Sequence, residues 1–172
     1  AILLSTYPEV TDYIKEIVLM GGSTGRGNVI PLAEFNIYCD PEAAQVVFNS
    51  GLPLTMIGLD LAREAMFSHD FVKSFKNQNE TGHMLHDLFQ HYRSEDFEYV
   101  VKIYDVFTIL YLLQPQAFNV KEADVQIELA GQYTKGATVV DFESHYPNCT
   151  VVLSPVDKGY EDLFLDALNY CK

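Results

Sequence analysis

Apolar and polar positions fall in blocks along this chain, and each block predicts an element. Residues 1–5 open on an apolar run, and residues 8–15 read as a short helix or turn. Ile17–Met20 is a short apolar run rich in β-branched residues, and Gly21-Gly22 stops it as a buried strand is stopped. A long polar, glycine-rich loop follows. Asp40 then offers a cap and Pro41 suits the first helical position, so Pro41–Phe48 reads as a helix that Gly51 ends. Residues 54–59 form a second strand, and strand, helix, strand with short connections predicts a parallel pair with a right-handed crossover. Residues 62–94 read as helical, with Met84, Leu85, Leu88, Phe89 and Tyr92 on one face. Residues 105–113 place Val106, Ile109, Leu110 and Leu113 at helical spacing before Pro115. Residues 124–129 alternate, with Val125, Ile127 and Leu129 inward; 131–136 is a hairpin-like turn into 137–141, and 149–153 is another strand. The chain ends on an amphipathic helix through Tyr160, Leu163, Phe164, Ala167, Leu168 and Cys171. The pattern is α/β, with no repeat and no linker.

Composition narrows the class. The 172 residues, 48% of them hydrophobic, support one domain, residues 1–172, with a substantial core. No apolar run approaches the roughly 18 residues of a membrane helix. A net charge of −13 argues against nucleic-acid or anionic-membrane partners, which need a basic face. Cys39, Cys149 and Cys171 show no metal spacing and read as reduced thiols of a cytoplasmic protein. Nothing resembles a secretory signal, so the Asn79-Glu80-Thr81 and Asn148-Cys149-Thr150 triplets are read as chance matches to the glycosylation pattern.

The chemistry concentrates after the first strand. In open α/β sheets ligands bind beyond the carboxyl ends of strands. The loop there offers the amides of Asn28 and Asn36 and the acid Glu34, with Arg26 as its one cation, which suits a polyhydroxyl ligand better than a phosphate. A phosphate loop is a weak alternative, since no Lys-Ser/Thr follows the glycines. His83 and His86 lie one turn apart, but only Asp87 stands near as a third zinc ligand, so solvated surface histidines are the simpler reading.

The stretch MGGSTGRGNVIPLAEFNIYCDPEAA resembles the central signature of the inosine–uridine nucleoside hydrolase family. The resemblance implies a Rossmann-like, mostly parallel open sheet with a helical segment and a β-hairpin. It also implies a ribose pocket lined by Met20, Asn28, Glu34 and Asn36. Residues 104–109 match a family stretch in which a His-Asp pair opens a buried helix. Asp105 would there ligate calcium and meet the ribose hydroxyls; the bland account is a carboxylate favoured by the helix dipole. Tyr104 stands where many members carry the histidine thought to protonate the leaving base, and a phenol is a poorer donor near neutrality. Ala62 follows Leu61 where the family often has Thr, and residues 136–141 match a further stretch, read as a structural hairpin. The family's Asp-x-Asp-Pro-Gly-x-Asp-Asp motif, which supplies most calcium ligands and the general base, is absent from the sequence. The resemblance therefore covers the carboxyl-terminal half of the family's domain. It implies hydrolysis of ribonucleosides to base and ribose by the intact fold, a chain inactive alone, and a homo-oligomer that covers an open sheet edge. A non-catalytic ribose- or nucleoside-binding module is the alternative.

Overall fold

A computed structural model describes residues 1–91 and 100–172. They divide into two compact units, Ala1–Leu61 with Phe118–Ser154, and Ala62–Ala117 with Pro155–Lys172. Tyr92 and Ser94, at the end of the predicted helix 62–94, lie outside the described residues.

The first unit opens with a short helix, α1 (Ile2–Thr6), and a 3-10 turn over Pro8–Tyr13, followed by β1 (Ile17–Met20). Two helices come next, α2 (Phe35–Cys39) and α3 (Pro41–Phe48), then β2 (Leu54–Ile57) and the start of α4 (Leu59–Glu64). The unit is completed by β5 (Phe118–Ile127), β6 (Thr138–Asp141) and β7 (Cys149–Pro155). The five strands form one sheet in the order β1-β2-β7-β5-β6. β1 runs parallel to β2 and β2 parallel to β7, as the strand–helix–strand pattern requires. β5 and β6 are the expected antiparallel hairpin, in register from Asp124↔Asp141 to Ile127↔Thr138. Gly136 closes its turn at φ 81°, where an added Cβ would stand 2.8 Å from the Tyr38 Cα, so only glycine fits without strain.

Alternate positions of the strands, on one face of the sheet, meet in one core with residues of α2 and α3. Met56, Val125 and Val151 are fully buried there with Ile37, Phe48, Leu54, Ile127 and Cys149. Ile17 and Leu19 pack against the same cluster. Asn148 is used as a strand extension: its Oδ1 accepts from the Val125 N–H at 2.8 Å and its Nδ2 donates to the Val125 carbonyl at 3.0 Å. Burial lifts the neighbouring Cys149 thiol to about 12, so it packs as a small hydrophobe and has almost no thiolate at neutral pH.

The second unit is built on aromatic rings. It contains β3 (Met66–Ser68), α5 (His69–Phe75), α6 (Glu80–His91), β4 (Val100–Lys102), α7 (Val106–Leu113) and α8 (Gly159–Asn169). β3 and β4 pair as an antiparallel ribbon. Phe67 is fully buried, with centroids 4.7 Å from Phe71, 5.0 Å from Phe164 and 6.1 Å from Tyr160. The Phe71 and Phe164 rings meet Phe67 edge-to-face and Tyr160 stacks on it, and such pairs add to the burial of the rings themselves.

Three sequence expectations are corrected here. Residues 62–94 are not one helical run, because Phe67 enters the ring cluster as a strand residue. Ser68 then caps α5 by accepting from the Phe71 N–H at 3.2 Å, and Asn79 accepts from the Gly82 N–H at 2.8 Å at the start of α6. The buried face of α6 is Gly82 and His86, whereas Met84 and Leu88 are 54% and 58% exposed. Gly82 sets this rotation, since any Cβ there would overlap the Phe75 carbonyl. On α7 the buried pair is Phe107 and Leu110, while Ile109 and Leu113 face outward. The Phe107 ring lies edge-on to Tyr160 at 5.7 Å, which turns the helix away from the predicted face.

Candidate functional site

The loop leaving β1 is fixed by its own backbone and by one buried acid. Gly21 N–H continues the sheet by donating to the Ile57 carbonyl at 3.1 Å. Gly22 takes φ 77°, and a Cβ on it would come within 2.7 Å of the Met56 sulfur. Gly27 donates to the Pro31 carbonyl at 2.9 Å, and Asn28 N–H to Ala33 at 3.1 Å. Those bonds fold residues 27–33 back on themselves.

Glu34 is buried, and all its hydrogen bonds go to the chain. Its Oε2 accepts from Gly22 N–H at 3.0 Å and Ile37 N–H at 3.1 Å, and its Oε1 from Asn36 N–H at 2.7 Å. It is the N-cap of α2, a helix within the stretch whose sequence predicts a loop. The carboxylate thereby ties the end of β1 to the start of α2.

That tie sets Asn36 beside Met20. The Asn36 Nδ2 donates to the Met20 carbonyl at 3.3 Å and approaches its sulfur at 3.2 Å. Its amide oxygen has no protein partner among the described residues and stands at an exposed position. Asn28 is exposed too, and its Oδ1 accepts from the Phe35 N–H at 2.9 Å. Met20, Asn28, Glu34 and Asn36 are thus brought together at the carboxyl end of a parallel strand, where α/β sheets place ligands.

Tyr104 and Asp105 belong to the second unit. Asp105 is exposed at the N-cap position of α7, yet its side chain makes no capping hydrogen bond. The dipole account of this residue therefore lacks the bond that usually accompanies it. Tyr104 is half-buried, and its carbonyl accepts from the Phe107 N–H at 3.2 Å.

The described residues do not fit a calcium ion. Calcium takes six to eight oxygens, and no three His, Cys, Asp or Glu side chains among the described residues are grouped to hold a metal. Zinc on α6 fails for a different reason. His86 is buried rather than solvated, and both its ring nitrogens are engaged, Nδ1 with Asp87 at 3.0 Å and Nε2 with Gln90 at 3.2 Å. The His86 hydrogen bond also holds the Asp87 carboxyl below its usual range.

Ser23, Thr24, Asp60 and Thr138 are not among the site residues that the sequence predicts. Thr138 Oγ1 accepts from Ser23 N–H at 3.0 Å and donates to the Ser23 carbonyl at 2.7 Å. Asp60 accepts from the Thr24 N–H and hydroxyl, both at 2.8 Å. The signal available in the sequence was a pair of short hydroxyl residues inside a glycine loop, a place where side chains bond backbone; their partners are far along the chain.

Residues 1–161 match the family described as inosine-uridine preferring nucleoside hydrolase. The chain belongs to this family. It is 50% identical over 173 residues to the non-specific ribonucleoside hydrolase RihC of Salmonella newport (strain SL254), a match covering 99% of this chain and 56% of that protein. The same protein of Salmonella paratyphi B (strain ATCC BAA-1250 / SPB7) matches at 50% identity with the same coverage. Among solved structures, the purine-preferring ribonucleoside hydrolase from Gardnerella vaginalis aligns at 28% identity with a TM-score of 0.81, over 96% of this chain and 54% of its own. An inosine-guanosine nucleoside hydrolase shares the fold at a TM-score of 0.84 and 24% identity, over 96% and 56% of the two chains. The chain spans just over half the length of these relatives. The mostly parallel α/β sheet is the fold they share. Among the described residues, no helix is long and apolar enough to cross a membrane.

Proposed function

We propose that this nucleoside hydrolase chain carries the ribose-binding part of an N-glycosidase and does not turn over substrate by itself. The carrying observation is the Met20–Asn36 pair held by buried Glu34, with the Asn36 amide oxygen left open at a strand's carboxyl end. That oxygen can accept from a ribose hydroxyl, and the Met20 thioether offers the apolar, polarisable flank a sugar ring packs on. The relatives' names differ in the base they mention, while ribonucleoside hydrolysis is common to them; a ribose site is the part such enzymes would hold in common.

The reaction breaks the C1′–N bond. Water contributes the hydroxyl to C1′, and the leaving base gains a proton. Positive charge develops on the sugar, so amide and carboxylate oxygens aimed at it lower the barrier. Asn36 and Asn28 would orient and stabilise the sugar; for the second unit, the family resemblance implies a role for Asp105 toward ribose hydroxyls and for Tyr104 toward the base. In the wider family calcium supplies an activated water, but this chain's described residues offer Asp105 and no coordination shell, so no step is assigned through the metal. Reduced thiols and the acidic surface fit a cytoplasmic enzyme.

Incubating the pure chain with inosine, uridine and calcium should release no free base, while ribose should shift the Met20 methyl and Asn36 side-chain NMR signals saturably. Sustained release would overturn the claim of inactivity. Unmoved signals at tens of millimolar ribose would overturn the ribose site. The second reading, a non-catalytic ribose- or nucleoside-binding module, is favoured by the lack of a metal-holding group among the described residues. It gains if no added amino-terminal polypeptide of a relative restores turnover.

A further inference from the structure

We propose that Thr138 and Asp60 are positioning residues that hold the 21–27 loop in its ligand-receiving form before any ligand arrives. The inference rests on the ribose reading above and deepens it. Two consecutive loop residues are gripped from two remote parts of the first unit. Thr138, on β6, satisfies both backbone groups of Ser23 with one hydroxyl, and Ser23 and Thr138 are both buried. Asp60, in the first turn of α4, places one oxygen on the Thr24 N–H and the other on the Thr24 hydroxyl. Ser23 passes the restraint on, since its own Oγ donates to the Arg26 carbonyl at 3.0 Å and accepts from the Gly25 N–H at 3.2 Å. The Leu59 N–H bonds the Gly22 carbonyl at 2.9 Å, and an Ala33–Ala137 bridge fastens the far side of the turn.

The glycines make this clamp necessary. A loop with Gly21, Gly22, Gly25 and Gly27 would otherwise sample many backbone states, and a ligand would bear the entropy of ordering it. A loop already fixed avoids that loss, which is how preorganisation raises affinity. Removing the Thr138 hydroxyl leaves a donor and an acceptor of Ser23 unpaired in a buried place, which is far costlier than losing an exposed bond.

The test compares Thr138→Val, which keeps the shape, with Thr138→Ser, which keeps the hydroxyl, and with Asp60→Ala. Amide exchange at Ser23 and Thr24 is read beside ribose titration of the Asn36 side-chain signals, with Val125 and Val151 exchange as the core control. Thr138→Val should speed exchange at Ser23 about tenfold and weaken ribose binding about tenfold, with core protection unchanged. Thr138→Ser should restore both, and Asp60→Ala should speed exchange at Thr24. Ribose affinity within twofold of wild type in Thr138→Val, or a loss that Thr138→Ser does not rescue, overturns the proposal. If the wild-type chain binds no ribose, the ribose reading fails separately. The clamp then stands or falls on whether Ser23 exchange accelerates in Thr138→Val.

Discussion

At the scale of single residues, the two acids carried by the family resemblance are unlike each other. Glu34 is buried, with three backbone N–H groups converging on its carboxylate. Asp105 is exposed and makes no capping bond. The first is tied into the fold, and the second is available to a ligand. Glu34→Ala should therefore cost on the order of 3 kcal/mol, because a helix cap is lost and buried donors are left unpaired. Asp105→Asn should change stability by less than about 0.5 kcal/mol, as exposed substitutions usually do. Urea unfolding of both variants checks this, and equal losses would show that Asp105 has a structural partner. The sequence marked both residues by resemblance but could not separate their duties. Asn79 and Asn148 teach the same lesson: each sits in a glycosylation-like triplet, and each spends its amide on the chain, Asn79 on the Leu168 and Cys171 carbonyls and Asn148 on Val125.

Among elements, those defined by local signals were legible and those defined by distant partners were not. The Asp40-Pro41 helix start could be read because cap and proline are adjacent in sequence; Asp40 accepts from the Ala43 N–H at 2.9 Å. Strand β1 with its closing glycines, the 131–136 turn and the parallel β1–β2 pair were equally readable. The β3 strand leaves no local signal, because it has three residues and its partner β4 begins more than thirty positions later. The outward faces of α6 and α7 are not legible locally, because Gly82 and the Phe107–Tyr160 contact set their rotation, and both are tertiary facts. The hairpin turn gives an element-scale prediction. Glu128 accepts from the Ala130 N–H at 2.8 Å and the Gly131 N–H at 3.0 Å, and these bonds lower its carboxyl from the ordinary 4.5. Lys135 does the same to Glu42 through a 2.9 Å hydrogen bond, pinning the turn to α3. A depressed folded value means that the stabilisation is present above about 4.5 and is lost as pH falls through the lower folded value. Amide exchange at Ala130 and Gly131 should therefore accelerate on acidification beyond its intrinsic pH dependence. Glu128→Gln should remove that excess; an unchanged acid profile in the variant would discard the turn as its origin.

For the molecule as a whole, the consequential feature is where the sheet stops. In the order β1-β2-β7-β5-β6, β2 is buried at all four positions while β1 is only half-buried at all four of its own. β1 pairs with β2 alone among the described residues, so the hydrogen-bonding groups on its other side have no strand partner. Strands of parallel sheets are usually covered, and natural edges are guarded by charge, proline or a bulge. Ile17–Met20 has none of these guards. A chain of net charge −13 repels its copies at long range, which limits unspecific aggregation and leaves strand pairing as the specific attraction. We therefore expect a dimer or larger species in solution, in which a second copy covers β1. Light scattering after size exclusion at micromolar concentration should report at least twice 19.5 kDa, with association strengthened by added salt as the charges are screened. Val18→Lys tests the edge itself, since Ile17 and Leu19 are the β1 residues packed with Val47 and Leu153 against the core while Val18 is not among them. The variant should keep the fold and shift the species toward monomer. A wild-type chain that runs as a stable monomer across this range would show that β1 is closed without a partner, and the expectation of an oligomer would fall with it.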